Sequence, residues 1–282
     1  MRVLLYYKCI DVPDPATDVQ EHLALCKSLG LKGRIFIGTE GINGTCSGTD
    51  EACETYKKVM NAHPLFHGIS YKESTEPDHV FKKIFVRHKK EIVGLRADVE
   101  AKKAAPYITP KELHEALERG DNLVLIDMRN DYEAAIGKFR NAVTLPIENF
   151  RDLPAYMPNL EQFKDAHVVT YCTGGIRCER ASALLLKHNF RSVRQLEGGI
   201  VRYLEEFPNG FYDGSLFVFD SRLAMRFPGQ KPVYISECTH CRKPCDRYLN
   251  CADVSCHRLF ICCSECEHGK NVCGKHEVVE VK

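Results

Sequence analysis

The sequence lacks any apolar run approaching the roughly 20 residues that a helix needs to cross a membrane. It also has almost no net charge, +1 at pH 7, so total charge neither indicates nor excludes a nucleic-acid partner. Its first residues are typical of a β-strand and lack the apolar core and small-residue cleavage site of a secretion signal. We therefore expect a soluble cytoplasmic protein with no membrane partner.

Cysteine, by contrast, is abundant and unevenly distributed. The length of 282 residues predicts two or three domains, and the hydrophobic fraction of 44% is enough for each to have a core of its own. Of the 15 cysteines, six precede residue 200 and nine lie between Cys238 and Cys273. In a reducing compartment such a cluster is typical of metal binding or redox chemistry rather than of a disulfide framework.

Residues 1–95 read as alternating short strands and helices. Strands are predicted at 3–10, 34–37, 66–71 and 83–87, and helices at 18–30 and 50–62. The order of the elements indicates a ferredoxin-like α+β sandwich. Between the second strand and the second helix lies a glycine-rich stretch, 38–45, interpreted as a tight turn, with anion binding as the alternative.

A basic tract closes this first domain. Lys82, Lys83 and Arg87 alternate with the apolar residues Phe81 and Ile84. The pattern predicts a basic sheet face that contacts RNA phosphates, and the alternative is an ordinary solvated face.

A linker is predicted at 96–106, and a second domain begins at residue 107. Thr109 is placed as a helix N-cap, with Pro110 in the first turn and Glu112 completing a capping box. Predicted strands at 122–127, 143–145 and 167–171 alternate with helices, which indicates a parallel α/β sheet. Sites in such sheets lie at the carboxyl ends of the strands.

Cys172 follows the last of these strands directly. It opens a short loop containing Thr173, Gly174 and Gly175, which leads into a predicted helix. Backbone N–H groups and the positive end of a helix dipole favour a thiolate there, and Arg177 adds a positive charge. The alternative is an inert buried cysteine.

Residues 107–208 resemble the rhodanese family. The resemblance rests on Ile108-Thr109-Pro110, on Asp127-Met128-Arg129-Asn130 with the following Glu133, on the loop from Cys172 to Arg177, and on Leu196-Glu197-Gly198-Gly199. It implies that Cys172 is the nucleophile that carries a persulfide, that its cradle runs from Thr173 through Gly174, Gly175 and Ile176 to Arg177, and that Asp127 and Arg129 form a buried architectural pair. Cys178 departs from ordinary rhodaneses, and it either resolves a species on Cys172 or packs in the core.

The whole chain resembles a narrower group, the rhodanese-domain tRNA uridine hydroxylase family. Three further features carry this resemblance: Gly41-Ile42-Asn43-Gly44 in an acylphosphatase-like first domain, Phe217-Val218-Phe219-Asp220-Ser221-Arg222, and the cysteine-rich tail. It implies an α/β multidomain enzyme that uses molecular oxygen to hydroxylate C5 of the wobble uridine, position 34, of tRNA.

Two other functions compete with this one. A sulfurtransferase would use the same loop to carry a persulfide, but would not need the first domain or the tail. A non-catalytic zinc-binding adaptor would not need Cys172.

The extension at 209–282 contains the cysteine-rich tail. Cys238 and Cys241 form one C-x2-C pair, Cys263 and Cys266 form another, and four such ligands are typical of a structural zinc site. A second site is predicted from Cys251, Cys256, Cys262 and Cys273, with His257, His268 and His276 nearby. Reduced or disulfide-linked cysteines are the alternative.

Overall fold

The computed structural model of the protein describes residues 1–253, 255–256, 258–268 and 272–273. None of its helices in this described part is long and apolar enough to span a bilayer.

A five-stranded sheet in the order β4-β1-β3-β2-β5 forms the first domain. Its elements are β1 (Arg2–Cys9), α1 (Pro15–Ser28), β2 (Lys32–Gly38), β3 (Gly41–Gly48), α2 (Asp50–Ala62), β4 (Tyr71–Thr75) and β5 (Ile84–His88). Both helices pack on one face, over a core that includes Leu4, Tyr6, Ile35 and Ile37. The predicted α+β sandwich is confirmed.

One local prediction in this domain is confirmed in part and another is wrong. The tight turn predicted in the glycine-rich stretch is present at Thr39 and Glu40, between the paired Gly38 and Gly41, but the rest of the stretch belongs to β3, which forms a hairpin with β2. Gly44 lies within β3, where a Cβ would come within 2.7 Å of the Tyr6 hydroxyl. The predicted strand at 66–71 is mostly turn, and the strand begins at Tyr71.

The second domain is built on a four-stranded parallel sheet in the order β6-β10-β9-β7. Its elements are β6 (Tyr107–Ile108), α3 (Pro110–Glu118), β7 (Leu123–Asp127), α4 (Asp131–Ile136), β8 (Gly137–Phe139), α5 (Leu153–Leu160), β9 (His167–Tyr171), α6 (Ile176–Lys187), β10 (Ser192–Leu196) and α7 (Gly199–Glu206). The Thr109–Glu112 capping box is confirmed, with backbone N–H groups donating to both side chains. The predicted strand at 143–145 is reduced to a single bridge between Val143 and Ile126.

The segment before β6 packs on this second domain. Leu95 and Ala105 are buried in its core, and the Ala105 N–H donates to Ser182 Oγ at 2.9 Å. The predicted linker therefore runs along the second domain rather than through solvent.

The elements after α7 form the C-terminal extension, which contacts both of the preceding domains. They are β11 (Tyr212–Gly214), β12 (Leu216–Phe217), β13 (Ala224–Met225), β14 (Tyr248–Asn250), β15 (Leu259–Ile261) and α8 (Ser264–Glu267). After β12, Arg222 binds Asp220 and reaches Glu76 of the first domain at 2.8 Å. In the tail, the Tyr248 hydroxyl donates to the Tyr132 carbonyl of α4 at 2.7 Å.

A fully buried ion pair lies at the carboxyl end of β7. Arg129 binds both carboxylate oxygens of Asp127, at 2.9 Å from Nε and 2.6 Å from Nη2, and Nη2 also donates to the Gly137 carbonyl. The side chains are 0% and 1% exposed. The pair therefore ties the end of β7 to β8.

We expect Arg129→Met to destabilise the protein by about 3–5 kcal/mol, because it leaves the Asp127 carboxylate buried without a counter-charge. Urea unfolding followed by circular dichroism measures this change. The matched control is Arg119→Met, which removes an exposed ion pair with Asp121 and should cost no more than about 1 kcal/mol. Equal losses in the two variants would contradict an architectural role for the buried pair.

Candidate active site

Cys172 lies at the carboxyl end of β9, as the sequence predicts. The Gly175 N–H donates to its Sγ at 3.2 Å, from a residue with a φ of 107°. Its carbonyl accepts from the Ile200 N–H in the first turn of α7 at 2.9 Å. Gly199 leaves room for this contact, since a Cβ there would approach the Cys172 oxygen to 2.5 Å. The loop is thus held from both sides by helix N-termini.

The surroundings of Cys172 favour its thiolate. Burial opposes ionisation, but the Cys178 thiol, the Arg177 charge and the N–H groups of Gly175 and Arg177 together lower the pKa of Cys172 to about 6. Burial and the neighbouring Cys172 raise the pKa of Cys178 well above its ordinary value. At neutral pH these shifts favour the thiolate at Cys172 and a neutral thiol at Cys178, which donates a hydrogen bond to it.

Arg177 is held by a residue to which the sequence gave no role. Its guanidinium binds Glu133 of α4 through two parallel hydrogen bonds of 2.5 and 2.7 Å, and also donates to the Thr173 hydroxyl at 3.3 Å. Glu133 is completely buried. This ion pair joins α4 to the first turn of α6, and so it fixes the loop that carries Cys172.

The next charged residues of α6 connect the site to the first domain. Glu179 accepts from the hydroxyls of Tyr7 at 2.9 Å and Tyr107 at 2.6 Å. Arg180 binds Glu40 at 2.7 Å and Glu91 at 2.8 Å. The sequence analysis did not predict these partners. A signal was present, because a charged side chain in a helix without a polar face needs a buried partner of opposite charge or a hydrogen-bonding group.

A cleft of about 300 Å³ opens over Cys172, between the first domain and the loop. Leu5, Tyr7, Arg34 and Phe36 line one wall, from the sheet face opposite the helices, while Thr173, Gly174, Ile176 and Arg177 line the other. Phe219 closes one side, with its ring 5.8 Å from the Arg177 guanidinium carbon. All of the predicted cradle therefore surrounds Cys172, and Phe219 is an addition that the sequence did not suggest.

The predicted RNA-binding residues Lys82, Lys83 and Arg87 are exposed and lie outside the cleft. In the parallel register of β2 and β5, Arg34 lies beside Phe85 and Phe36 beside Arg87, so these four side chains share one sheet face. Lys83 Nζ and the Arg87 guanidinium carbon each lie 5.1 Å from the Phe85 ring centroid. This basic aromatic face, made of Arg34, Phe36, Lys83, Phe85 and Arg87, leads directly into the cleft.

The tail brings its first cysteine set together. The thiol sulfurs of Cys238, Cys241, Cys263 and Cys266 lie within 4.8 Å of one another, and those of Cys241 and Cys263 are 3.6 Å apart. Zinc–sulfur bonds of about 2.3 Å in a tetrahedron place the sulfurs roughly 3.8 Å apart. These four residues therefore suit one tetrahedral metal ion.

The second predicted set is partly wrong. Cys251, Cys256 and Cys273 form a group, but Cys262 is not a member of it. Cys262 lies at the end of β15 beside Cys238, close to the first set. His257 and His276 lie outside the described residues.

Three matched families follow this division of the chain. Residues 1–92 match the UPF0176 acylphosphatase like domain, residues 109–206 the Rhodanese-like domain, and residues 213–277 the Rhodanase C-terminal. The tRNA uridine(34) hydroxylase of Shouchella clausii is 45% identical over 95% of this chain and 85% of its own. The protein of the same name from Staphylococcus saprophyticus is 44% identical over 98% of this chain and 90% of its own.

The chain belongs to the tRNA uridine(34) hydroxylase family. In this family member, the Cys172 loop of the rhodanese-like domain and the sheet of the acylphosphatase-like domain face each other across the cleft.

Alkylation of Cys172 should titrate with a midpoint near pH 6, because only the thiolate reacts and the pKa of Cys172 is lowered to about 6. We expect Arg177→Met to raise this midpoint by about one to three units, since the thiolate loses its positive neighbour. Iodoacetamide labelling across a pH series, with mass spectrometry of the Cys172 peptide, measures both midpoints. Arg191→Met, which removes only an exposed pair with Asp165, is the control; a midpoint that moves no more in Arg177→Met than in this control would contradict the assignment.

Proposed function

We propose that this protein hydroxylates C5 of uridine 34 in tRNA, in the cytoplasm, and that Cys172 takes part in the chemistry. The observation that carries the proposal is a thiolate at the bottom of a base-sized cleft, in a chain whose relatives are named for this reaction. The cleft is at the small end of ligand pockets in general, which suits one nucleobase rather than a folded nucleic acid.

The substrate base enters by leaving the anticodon loop. Bases in single-stranded RNA loops are unstacked at low cost and are bound by stacking on aromatic side chains. Phe36 and Phe219 supply such surfaces on two sides of the cleft, and Phe219 is half exposed before any substrate binds. The buried Cys172 sulfur then meets the edge of the base.

Cys172 activates the base by addition. A bond forms between Sγ and C6 of uracil, and the electron pair of the C5–C6 double bond passes to C5 and its conjugated carbonyl. C5 then takes one oxygen atom from molecular oxygen, and two electrons and two protons from a thiol reductant convert the other atom to water. Loss of the C5 proton and of the Cys172 thiolate restores the double bond. The alternative is that Cys172 itself carries an oxidised or persulfide state that delivers the oxidant.

Cys178 assists as the partner of Cys172. Its thiol donates a hydrogen bond to the Cys172 thiolate and stays protonated, so it stabilises that thiolate. When Cys172 instead carries a sulfenic acid or persulfide, the Cys178 sulfur can attack it to form a disulfide, and the Cys178 proton leaves with the departing hydroxide as water or with hydrosulfide as hydrogen sulfide. Arg177 stabilises the thiolate and does not need to touch the base.

The basic aromatic face positions the tRNA. Lys83 and Arg87 flank Phe85 on an exposed edge strand that leads towards the cleft, a pattern suited to phosphates on either side of a stacked base. Lys82 is exposed beside them and extends the positive charge.

A structural zinc ion is proposed at Cys238, Cys241, Cys263 and Cys266. Four thiolates satisfy a tetrahedral ion completely, so the metal supports folding and leaves no position open for chemistry.

Wild-type protein incubated in air with a thiol reductant such as dithiothreitol and with tRNA from cells lacking the protein should add one oxygen to uridine 34, and Cys172→Ser should be slower by about a thousandfold or more. Nucleoside mass spectrometry measures the product, and ¹⁸O₂ identifies the source of the oxygen. Cys9→Ser, a change at a partly buried cysteine outside the cleft, is the control.

This assay and two further measurements, adduct formation and sulfur transfer, separate the alternatives. Oxygen addition that survives in Cys172→Ser would overturn the role of the thiolate. A covalent adduct with 5-fluorouridine-substituted tRNA supports addition at C6, and its absence with active enzyme supports the oxidant-carrying alternative. No product with wild type, together with sulfur transfer from thiosulfate, would assign a sulfurtransferase instead.

Replacing Lys83 and Arg87 together by Gln should raise KM for tRNA about tenfold, leave kcat unchanged, and flatten the dependence of KM on salt, because phosphate contacts are lost. Steady-state hydroxylation at several salt concentrations measures this. The matched control replaces Lys27 and Lys58 together by Gln, which removes two exposed charges from α1 and α2 on the opposite side of the sheet. Equal effects from the two changes would show that only total charge matters.

A further inference from the structure

Five cysteines in the tail lie outside the first four-cysteine set, and three of them form a second group. The sulfurs of Cys251, Cys256 and Cys273 lie within 4.8 Å of one another, and those of Cys256 and Cys273 are 3.7 Å apart. Cys251 and Cys273 are each only 6% exposed. This second group therefore has the proximity and the burial of a built site.

The spacing of these sulfurs matches a metal site better than a disulfide. A disulfide requires about 2.05 Å between sulfurs, whereas the edge of a zinc–thiolate tetrahedron is roughly 3.8 Å, from zinc–sulfur bonds of about 2.3 Å. The same edge length occurs in the first set, between Cys241 and Cys263.

The two groups sit at opposite ends of one hairpin. Cys251 directly follows β14, and its N–H donates to the Arg258 carbonyl at 2.8 Å, so Cys251 and Cys256 belong to the connection between β14 and β15. Cys263 and Cys266 follow β15 at the other end, next to Cys238 and Cys241. One ion cannot serve both ends.

The ligands also alternate along the chain. Cys238 and Cys241 belong to the first group, Cys251 and Cys256 to the second, Cys263 and Cys266 to the first, and Cys273 to the second. Each group therefore takes its last ligand from a part of the chain that follows ligands of the other group.

We propose that Cys251, Cys256 and Cys273 bind a second zinc ion, so that the tail is a module with two interleaved metal sites. Both ions hold the β14–β15 hairpin, one at each end, and four-coordinate zinc at these sites has a structural role. The proposal does not depend on the reaction at Cys172.

Zinc content of the purified full chain, measured by inductively coupled plasma mass spectrometry, tests the proposal. Wild type should hold two zinc ions per chain, and Cys251→Ser should hold one or fewer. Cys245→Ser should keep two, because Cys245 has the same 6% exposure and lies in the same tail but belongs to neither group. One zinc in wild type, or an unchanged content in Cys251→Ser, would overturn the second site.

Replacement of zinc by Co²⁺ guards against a variant that merely misfolds. Wild type should bind two equivalents of Co²⁺ with the visible absorption of thiolate complexes, and Cys256→Ser should change the ligand-field bands of one equivalent only. A spectrum that saturates at one equivalent in wild type would contradict the proposal independently of any substitution.

Discussion

The ion pair between Arg177 and Glu133 is the contact on which the position of the Cys172 loop depends. Both groups are buried, so each is costly to desolvate, and that cost is offset only because the pair is bidentate and its remaining hydrogen-bonding groups are occupied. Glu133 also accepts from the Asn130 N–H and from the Thr173 hydroxyl. The loop thus takes its position from α4, and the N–H groups around Cys172 point at sulfur because the first turn of α6 cannot shift.

Helix α6 extends this principle to the whole molecule. From Arg177 to Leu185 every residue is buried, so its charges have no access to solvent and must be matched by other parts of the chain. Glu133 matches Arg177 within the second domain, while Tyr7 and Glu40 match Glu179 and Arg180 from the first. The helix that follows the Cys172 loop therefore also positions the first-domain wall of the cleft, which lies opposite Cys172.

The sequence predicted features that arise from neighbouring residues and missed those that arise from distant ones. The Thr109–Glu112 cap and the place of Cys172 after β9 follow from local pattern, and both are observed. Gly44 suggested a loop from its local sequence, but a glycine is needed there because the Tyr6 side chain of another strand packs against it, and that contact is tertiary. Glu133 and Phe219 stood out only as motif residues, and the sequence gave them no role because they lie 44 residues before and 42 residues after the Arg177 that they meet. Cys262 and Cys263 are neighbours that both follow β15, and the sequence did not show that Cys262 lies outside the second group.

The glycine at position 175 has a consequence for how such proteins diversify. A Cβ at this position would come within 2.8 Å of the Tyr7 hydroxyl, so the first domain rests directly on the backbone of the catalytic loop. An exchange of the first domain for another sandwich would change what covers the nucleophile, even if every residue of the rhodanese loop were kept. The loop and the sheet that cover Cys172 are therefore fitted to each other, and replacing the first domain alone would leave the Cys172 loop without one wall of its cleft.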